Sequence, residues 1–241
     1  MNVNQIVRII PTLKVNNRKL NETFYIETLG MKALLEESAY LSLGDQTGLE
    51  KLVLEEAPSM RTRKVEGRKK LAKLIIKVEN PIEIEGLLSK TDSIHRLYKG
   101  QKGYAFEVFS PEDDLILIHA EDDRESLVEV EEKPVFQTDL ESISLSKFEI
   151  SMELHFPTDI ESFMGSSEIG AFIDFIPAQG QDLTVDNTVT WDLSMLKFLV
   201  NELDIASLRK KFESTEYFIP KSDKFFRCKD RNNVELWFEA V

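Results

Sequence analysis

A fourfold recurrence constrains this chain more than any other feature: a short strand, a polar cap, a helix, then further short strands. The first copy runs from Pro11 to Gly30 and on into three apolar runs. Leu13 and Val15 alternate with Thr12 and Lys14, the two-residue period of a half-buried strand. Asn16 and Asn17 follow, and an asparagine side chain accepts a hydrogen bond from a free N–H at a helix start. Leu20 and Phe24 lie four apart, which predicts a helix face, and Gly30 supplies the stop. Runs at Ala33 to Leu35, Tyr40 to Leu43 and Leu49 to Leu54 predict strands, with Gly44, Asp45 and Gly48 turning the last pair. The unit is βαβββ.

A second unit starts with Leu74, Ile76 and Val78, is capped by Asn80-Pro81, and continues with a helix face of Ile84, Leu87 and Leu88. Its strands Tyr104 to Phe109 and Leu115 to Ile118 flank the turn Ser110 to Asp114, and it closes near Ala120. The third unit begins at Phe148, with Met152, Leu154 and Phe156 alternating against Ser151, Glu153 and His155. Thr158-Asp159-Ile160-Glu161 predicts a capped helix start. Ala171 to Ile176 and Leu183 to Val189 predict strands, and this unit is the least regular. The fourth has Leu196, Phe198 and Val200, a cap at Asp204, and a helix face of Ile205, Leu208 and Phe212. Strands at Tyr217 to Ile219, Phe225 to Cys228 and Val234 to Phe238 complete it, with Asp230 to Asn233 as a hairpin turn.

Two segments stand outside the repeat. Arg61 to Lys73 is strongly basic and reads either as a solvated connector or as a docking patch for an acidic partner. Glu121 to Asp139 is acidic and poor in apolar residues, so it reads as a linker that cannot bury enough surface to fold alone. These shifts predict an N-terminal domain over 1–121, an acidic linker over 122–146 and a C-terminal domain over 147–241.

Composition excludes several classes. With 30 Lys and Arg against 43 Asp and Glu, the net charge is −13, which argues against nucleic acid or an anionic membrane as a general partner. No apolar run approaches the roughly 20 residues of a membrane span. The N-terminus lacks the basic and apolar regions of a secretory signal, and a single cysteine, Cys228, allows no internal disulfide. Both features predict a cytoplasmic location.

Four βαβββ units, the phrase Phe24-Tyr25-Ile26-Glu27-Thr28-Leu29-Gly30, and the turns Ser110-Pro111-Glu112-Asp113 and Asp230-Arg231-Asn232-Asn233 resemble the vicinal oxygen chelate superfamily. That superfamily includes glyoxalases, bleomycin-resistance proteins and extradiol dioxygenases. The resemblance implies an α+β fold in which paired units form two cupped mixed sheets, with the third unit degenerate. Over the whole chain the sequence also resembles the CppA family of streptococci. That resemblance implies a proteinase that degrades the third component of complement, and a surface or released location.

The chemistry of the superfamily does not follow from these residues. Its metal ligands fall at positions occupied here by Ile10, Lys73, Leu117, Ser151, Met195 and Trp237, a poor set for a divalent ion. No metal or other cofactor is expected. The histidines His95, His119 and His155 make no H-E-x-x-H, and neither a G-x-S-x-G elbow nor a D-[TS]-G is present. Cys228 reads as a buried thiol and His119 as a surface histidine beside Glu121 and Asp122. Phe172, Phe175, Trp191, Phe225 and Phe226 read as core.

Strand parity then points to one candidate site. If Leu154, Phe156, Leu196, Phe198, Leu236 and Phe238 face their helices, Glu153, His155, Lys197, Glu235 and Trp237 face a C-terminal cup. Four readings stay open there: a structural one in which Glu153 and Lys197 pair across neighbouring strands while Trp237 fills the cup, a metal-free binding site for a small molecule or protein partner, a structural or regulatory interaction protein, or the catalytic site of the proteinase that the family resemblance implies.

Overall fold

The computed structural model describes residues 4–91, 93–136, 143–157, 169–213 and 215–241. The first unit comprises β1 (Ile6–Val15), α1 (Arg18–Thr23) running on as a π turn (Phe24–Thr28), β2 (Lys32–Glu37), β3 (Tyr40–Gly44) and β4 (Glu50–Glu56). The second comprises β5 (Leu71–Val78), α2 (Pro81–Lys90), β6 (Arg96–Lys99), β7 (Tyr104–Phe109) and β8 (Leu115–His119). A short β9 (Val128–Val130) follows. Then come β10 (Phe148–Pro157) and β11 (Ile173–Ala178) of the third unit. The fourth is β12 (Leu193–Val200), α3 (Ile205–Lys211), β13 (Tyr217–Phe218), β14 (Phe225–Lys229) and β15 (Glu235–Ala240).

The helix caps are the ones the sequence predicts. Asn17, Asn80 and Asp204 each accept from a backbone N–H in the first turn of α1, α2 and α3. The buried face of the first helix is not the predicted one. Leu20 is exposed, while Asn21, Tyr25 and Leu29 are buried. The predicted pair starts one residue too early, and widening to a π turn at Phe24 carries the same stripe on to Leu29. Gly30, at φ +68°, ends the helix and lets the backbone pass against Leu87 and Leu145.

Two mixed sheets form an α+β fold. The first has the order β13-β14-β15-β12-β1-β4-β3-β2, the second β11-β10-β5-β8-β7-β6-β9. Within each unit the first and last strands run parallel, as in β1 with β4, β5 with β8, β10 with β11 and β12 with β15. Units join through antiparallel pairs of first strands, β1 with β12 and β5 with β10. The first unit therefore shares a sheet with the fourth, and the second with the third. The cups do not follow the two halves of the chain, as the sequence reading assumed. Each sheet turns one apolar face into a single continuous core, for example Leu13, Leu54, Leu196 and Leu236 from the first and Leu74, Ile116, Phe106 and Met152 from the second. α2 packs on β5, β7 and β8, and α3 on β14. The third unit is reduced to β10 and β11 among the described residues. Leu183 to Val189 forms turns rather than the expected strand, and the cap expected at Thr158 to Glu161 lies outside the described residues.

The segments between units are structural ties. Arg63 makes a two-pronged pair with the buried Asp182 at 2.6 and 2.7 Å, and Lys69 meets Asp114 at 2.5 Å. Lys70 donates to Val185 O at 2.6 Å, and Lys64 pairs with Asp113. Four of the basic side chains thus pair within the molecule, tying this run to the 179–192 loop and to the β7–β8 turn. The acidic linker is also partly ordered: residues 124–126 form a 3-10 turn and β9 adds to β6. Residues 137–142 lie outside the described residues. No helix among the described residues is long and apolar enough to cross a membrane.

The β14–β15 turn yields a pH-dependent prediction. Asp230 Oδ1 accepts from the N–H groups of Asn232 and Val234, and burial pushes its carboxyl up to about 6. Between the unfolded value near 4 and about 6, the folded chain holds a proton that the unfolded chain has lost. Stability therefore falls by about 2–3 kcal/mol as pH rises through that window, and stays lower above it. Asp230→Asn keeps the acceptor oxygen without the charge. Its melting temperature should exceed that of the parent by several degrees at pH 7.5, with the gap closing toward pH 4. An equal gap at both values would exclude a buried carboxylate as the cause.

Candidate functional site

The outer face of the first sheet, turned away from the core, carries a concavity of about 440 Å³. Register explains its lining. Thr12 lies beside Met195 and Val53, Val53 beside Ser42, and Ser42 beside Leu35, so one rung crosses four strand boundaries. Ile10 lies beside Lys197 on the next rung. Ile10 and Val53 are nearly fully buried yet stand outside the main core, because they face the opposite side of the sheet from Leu13 and Leu54. Tyr40, Glu37 and Glu50 rim the opening. Lys197 reaches Glu50 at 3.6 Å, and Ser42 donates to the same carboxylate. The Thr12 hydroxyl, 1% exposed at residue level, has no hydrogen-bond partner among the described residues. Burial, with Glu55 and Glu235 next in effect, raises the Tyr40 phenol above its usual range, so it is a neutral donor near pH 7.

The predicted site residues divide between the two sheets. Lys197, Glu235 and Trp237 are on the first. Lys197 lies beside Trp237, Trp237 stacks on Phe225 at 3.8 Å between centroids, and its indole N–H donates to Glu239 at 2.9 Å. Glu235 faces Arg227 at 3.7 Å. Glu153 and His155 are on the second sheet. Arg124 bridges Glu153 at 3.2 Å and Asp174 at 2.7 Å, and His155 Nδ1 lies 2.8 Å from Lys69 O. Lys197, Glu235 and Trp237 share one sheet and Glu153 and His155 the other, so the expected convergence of all five does not occur, because β10 and β12 never share a sheet. The sequence places Thr12 on the open side of its strand but points to none of Leu35, Tyr40, Ser42 and Glu50. The same parity rule applied to the first unit finds them once β1 is known to pair with β12.

The outer face of the second sheet is filled by its own side chains. Lys73 meets Glu107 at 2.8 Å, and Tyr98 donates to Glu107 at 3.1 Å. Ile75 and Leu117 sit buried between these charges. His119 is buried here, not on the surface as expected. Its burial and then the nearby Lys77 and Arg124 pull its imidazole down to about 4, so it is neutral. Cys228 is buried as expected, and burial pushes its thiol up to about 12, which removes the thiolate a nucleophile needs. Trp191 differs from expectation: it is half-buried and donates to Ala57 O at 2.7 Å, which places it on the strap.

The metal of the glyoxalase-type fold does not fit these residues. Two of its six positions, Ile10 and Met195, line the first concavity with hydrocarbon and a thioether. Trp237 is stacked beside it, and Lys73, Leu117 and Ser151 are on the second sheet. Among the described residues no three His, Cys, Asp or Glu side chains gather where they could hold an ion.

Comparison with known proteins agrees with the fold. The chain is 88% identical to the cppA protein from Streptococcus pneumoniae TIGR4, over 100% of both chains, with a TM-score of 0.95. Glyoxalase I from Zea mays shares the fold at 12% identity, covering 97% of this chain and 92% of that one, with a TM-score of 0.56. A candidate dioxygenase from Bacillus subtilis does so at 12% identity, covering 99% and 86%, with a TM-score of 0.60. No curated protein matches. The family models for the CppA N-terminal and C-terminal regions match residues 8–130 and 145–238, and with them the chain belongs to the CppA family, on a glyoxalase-like fold.

Proposed function

We propose that this chain is a metal-free binding protein whose seat for a small amphipathic molecule is the concavity of the first sheet. The carrying observation is the replacement of metal-ligand positions by Ile10 and Met195, in a hollow that also presents the buried, unpartnered Thr12 hydroxyl. An apolar floor with few polar groups on the rim is the usual composition of a ligand pocket. Lys197, Glu50 and Tyr40 would orient the polar end of the ligand, and Ile10, Val53, Leu35 and Met195 would cover its apolar body.

The proteinase activity implied by the family resemblance lacks support from side-chain geometry. Among the described residues the only thiol is held protonated, His119 is buried and neutral, and His155 spends Nδ1 on a backbone carbonyl. On the binding reading, the third complement component incubated with the pure protein stays intact on a denaturing gel. A defined cleavage product that persists after repurification would overturn that.

A thermal-shift screen of amphipathic small molecules should give hits, since a ligand that binds only the folded state raises its melting point. Met195→Trp fills the hollow and should weaken those hits at least tenfold, while the protein alone melts within a few degrees of the parent. Hits that survive Met195→Trp would place the seat elsewhere.

A further inference from the structure

In the basic run at residues 61–73, Arg63, Lys64, Lys69, Lys70 and Lys73 find partners within the molecule; a second basic segment lies nearer the C-terminus. Residues 205–229 hold seven Lys and Arg against three Asp and Glu, in a chain of net charge −13. Arg209, Lys210 and Lys211 end α3, and Lys221 and Lys224 sit on the turn between β13 and β14. All five are exposed and form no ion pair among the described residues. Between them lies β13, the outermost strand of the first sheet, which pairs only with β14 among the described residues. Its two side chains, Tyr217 and Phe218, are 44% and 49% exposed.

These aromatics are anchored from behind. Tyr217 stacks on the buried Phe226 at 5.3 Å, and Phe218 lies 5.9 Å from Phe225. Arg209 stands over the Tyr217 ring at 6.0 Å and Arg227 over Phe218 at 5.3 Å. Rigid aromatic surface ringed by arginine and lysine is the composition of an interface hot spot, and the strand edge adds unpaired backbone groups that an extended chain can meet.

We infer that this edge docks an extended acidic polypeptide segment of a partner protein. Charge complementarity selects the acid, because Glu and Asp side chains find five cations there that form no ion pair among the described residues. The overall charge selects a short segment over a long polyanion. Fields are screened within about 10 Å at 0.1 M salt, so a peptide lying on the patch feels mainly the local positive charge. A nucleic acid or an anionic membrane extends over the remaining surface and meets its excess of carboxylates.

The test uses fluorescence anisotropy of the full chain with three labelled probes: an acidic peptide of about twelve residues containing one tyrosine, a lysine-rich peptide of equal length, and single-stranded DNA of equal length. The acidic peptide should bind with an affinity that falls several-fold from 50 to 200 mM salt. Lys210→Glu with Lys211→Glu and Lys221→Glu should weaken it at least tenfold without moving the melting temperature by more than about 2 °C, since exposed charges contribute little to stability. Phe218→Ser should weaken it as well, and amide exchange at 217–218 should slow in the complex. No binding of the acidic peptide at 50 mM salt overturns the inference. So does DNA binding as tightly, or affinity unaffected by the charge reversals.

Discussion

Asp192→Ala is expected to destabilise the protein by about 3–5 kcal/mol, the range for stripping the partner from a buried, hydrogen-bonded charge. Asp192 is 3% exposed and stands just before β12. One oxygen accepts from Lys70 N at 2.6 Å; the other accepts from Leu71 N at 3.2 Å and Leu193 N at 2.8 Å. It therefore ties the start of the first sheet's β12 to the start of the second sheet's β5. Alanine leaves three buried N–H groups without an acceptor, each costing about 1–3 kcal/mol before relaxation. It also removes a nearby countercharge from the half-buried Lys69, which pairs with Asp114 at 2.5 Å. At about 2–4 °C per kcal/mol for a chain of this size, the melting temperature should fall by roughly 6–20 °C. Asp192→Asn, which keeps one acceptor oxygen, should fall in between. A loss under about 3 °C for the alanine variant would show that the sheets are held together without this tie.

The second large effect concerns the two halves. Residues 1–121 and 147–241, produced separately, should each fail to give a cooperative thermal transition. The reason is the pattern of pairing. β1 lies between β12 and β4 in the interior of one sheet, and β5 lies between β10 and β8 in the other. Separation strips a long central strand on both sheets, exposing the edges of β1 and β5 in one fragment and of β10 and β12 in the other. It also opens the common core in which Leu13, Leu74, Met152 and Leu196 take part. Unpaired apolar edges of this length are aggregation sites, not stable surfaces. The intact chain cut by a protease within 122–146 should instead remain one particle by size exclusion and melt in one transition. Mixing the two fragments during refolding should restore that transition. Two fragments that each melt cooperatively at the temperature of the parent would sink this account.

Much of the fold is legible in the sequence because its signals are local. Alternation at Leu74, Ile76 and Val78 and at Leu196, Phe198 and Val200 marks the first strands. Asparagine or aspartate at 17, 80 and 204 marks the helix starts, and both follow from backbone hydrogen bonding within a few residues. The exposed Leu20 shows the limit of that reading. A two-residue match to a helical period cannot detect that the helix widens at Phe24, where the core below decides the turn.

Local signals suffice for the first strand of each unit and for the caps at Asn17, Asn80 and Asp204, because strand alternation and capping act within a few residues. The sequence by itself also determined that the metal positions carry Ile10 and Met195. Which unit pairs with which follows only from the packing of the whole chain. Pairing joins residues nearly 200 positions apart, such as Ile6 with Val200. The energy that selects it is burial in a core shared by all four units, and no local window contains that term. That choice separated the five predicted residues onto two sheets and brought Thr12, Tyr40 and Ser42 opposite Met195 and Lys197. It also set Arg63 against Asp182 and Lys69 against Asp114, partners more than 40 residues away in the chain.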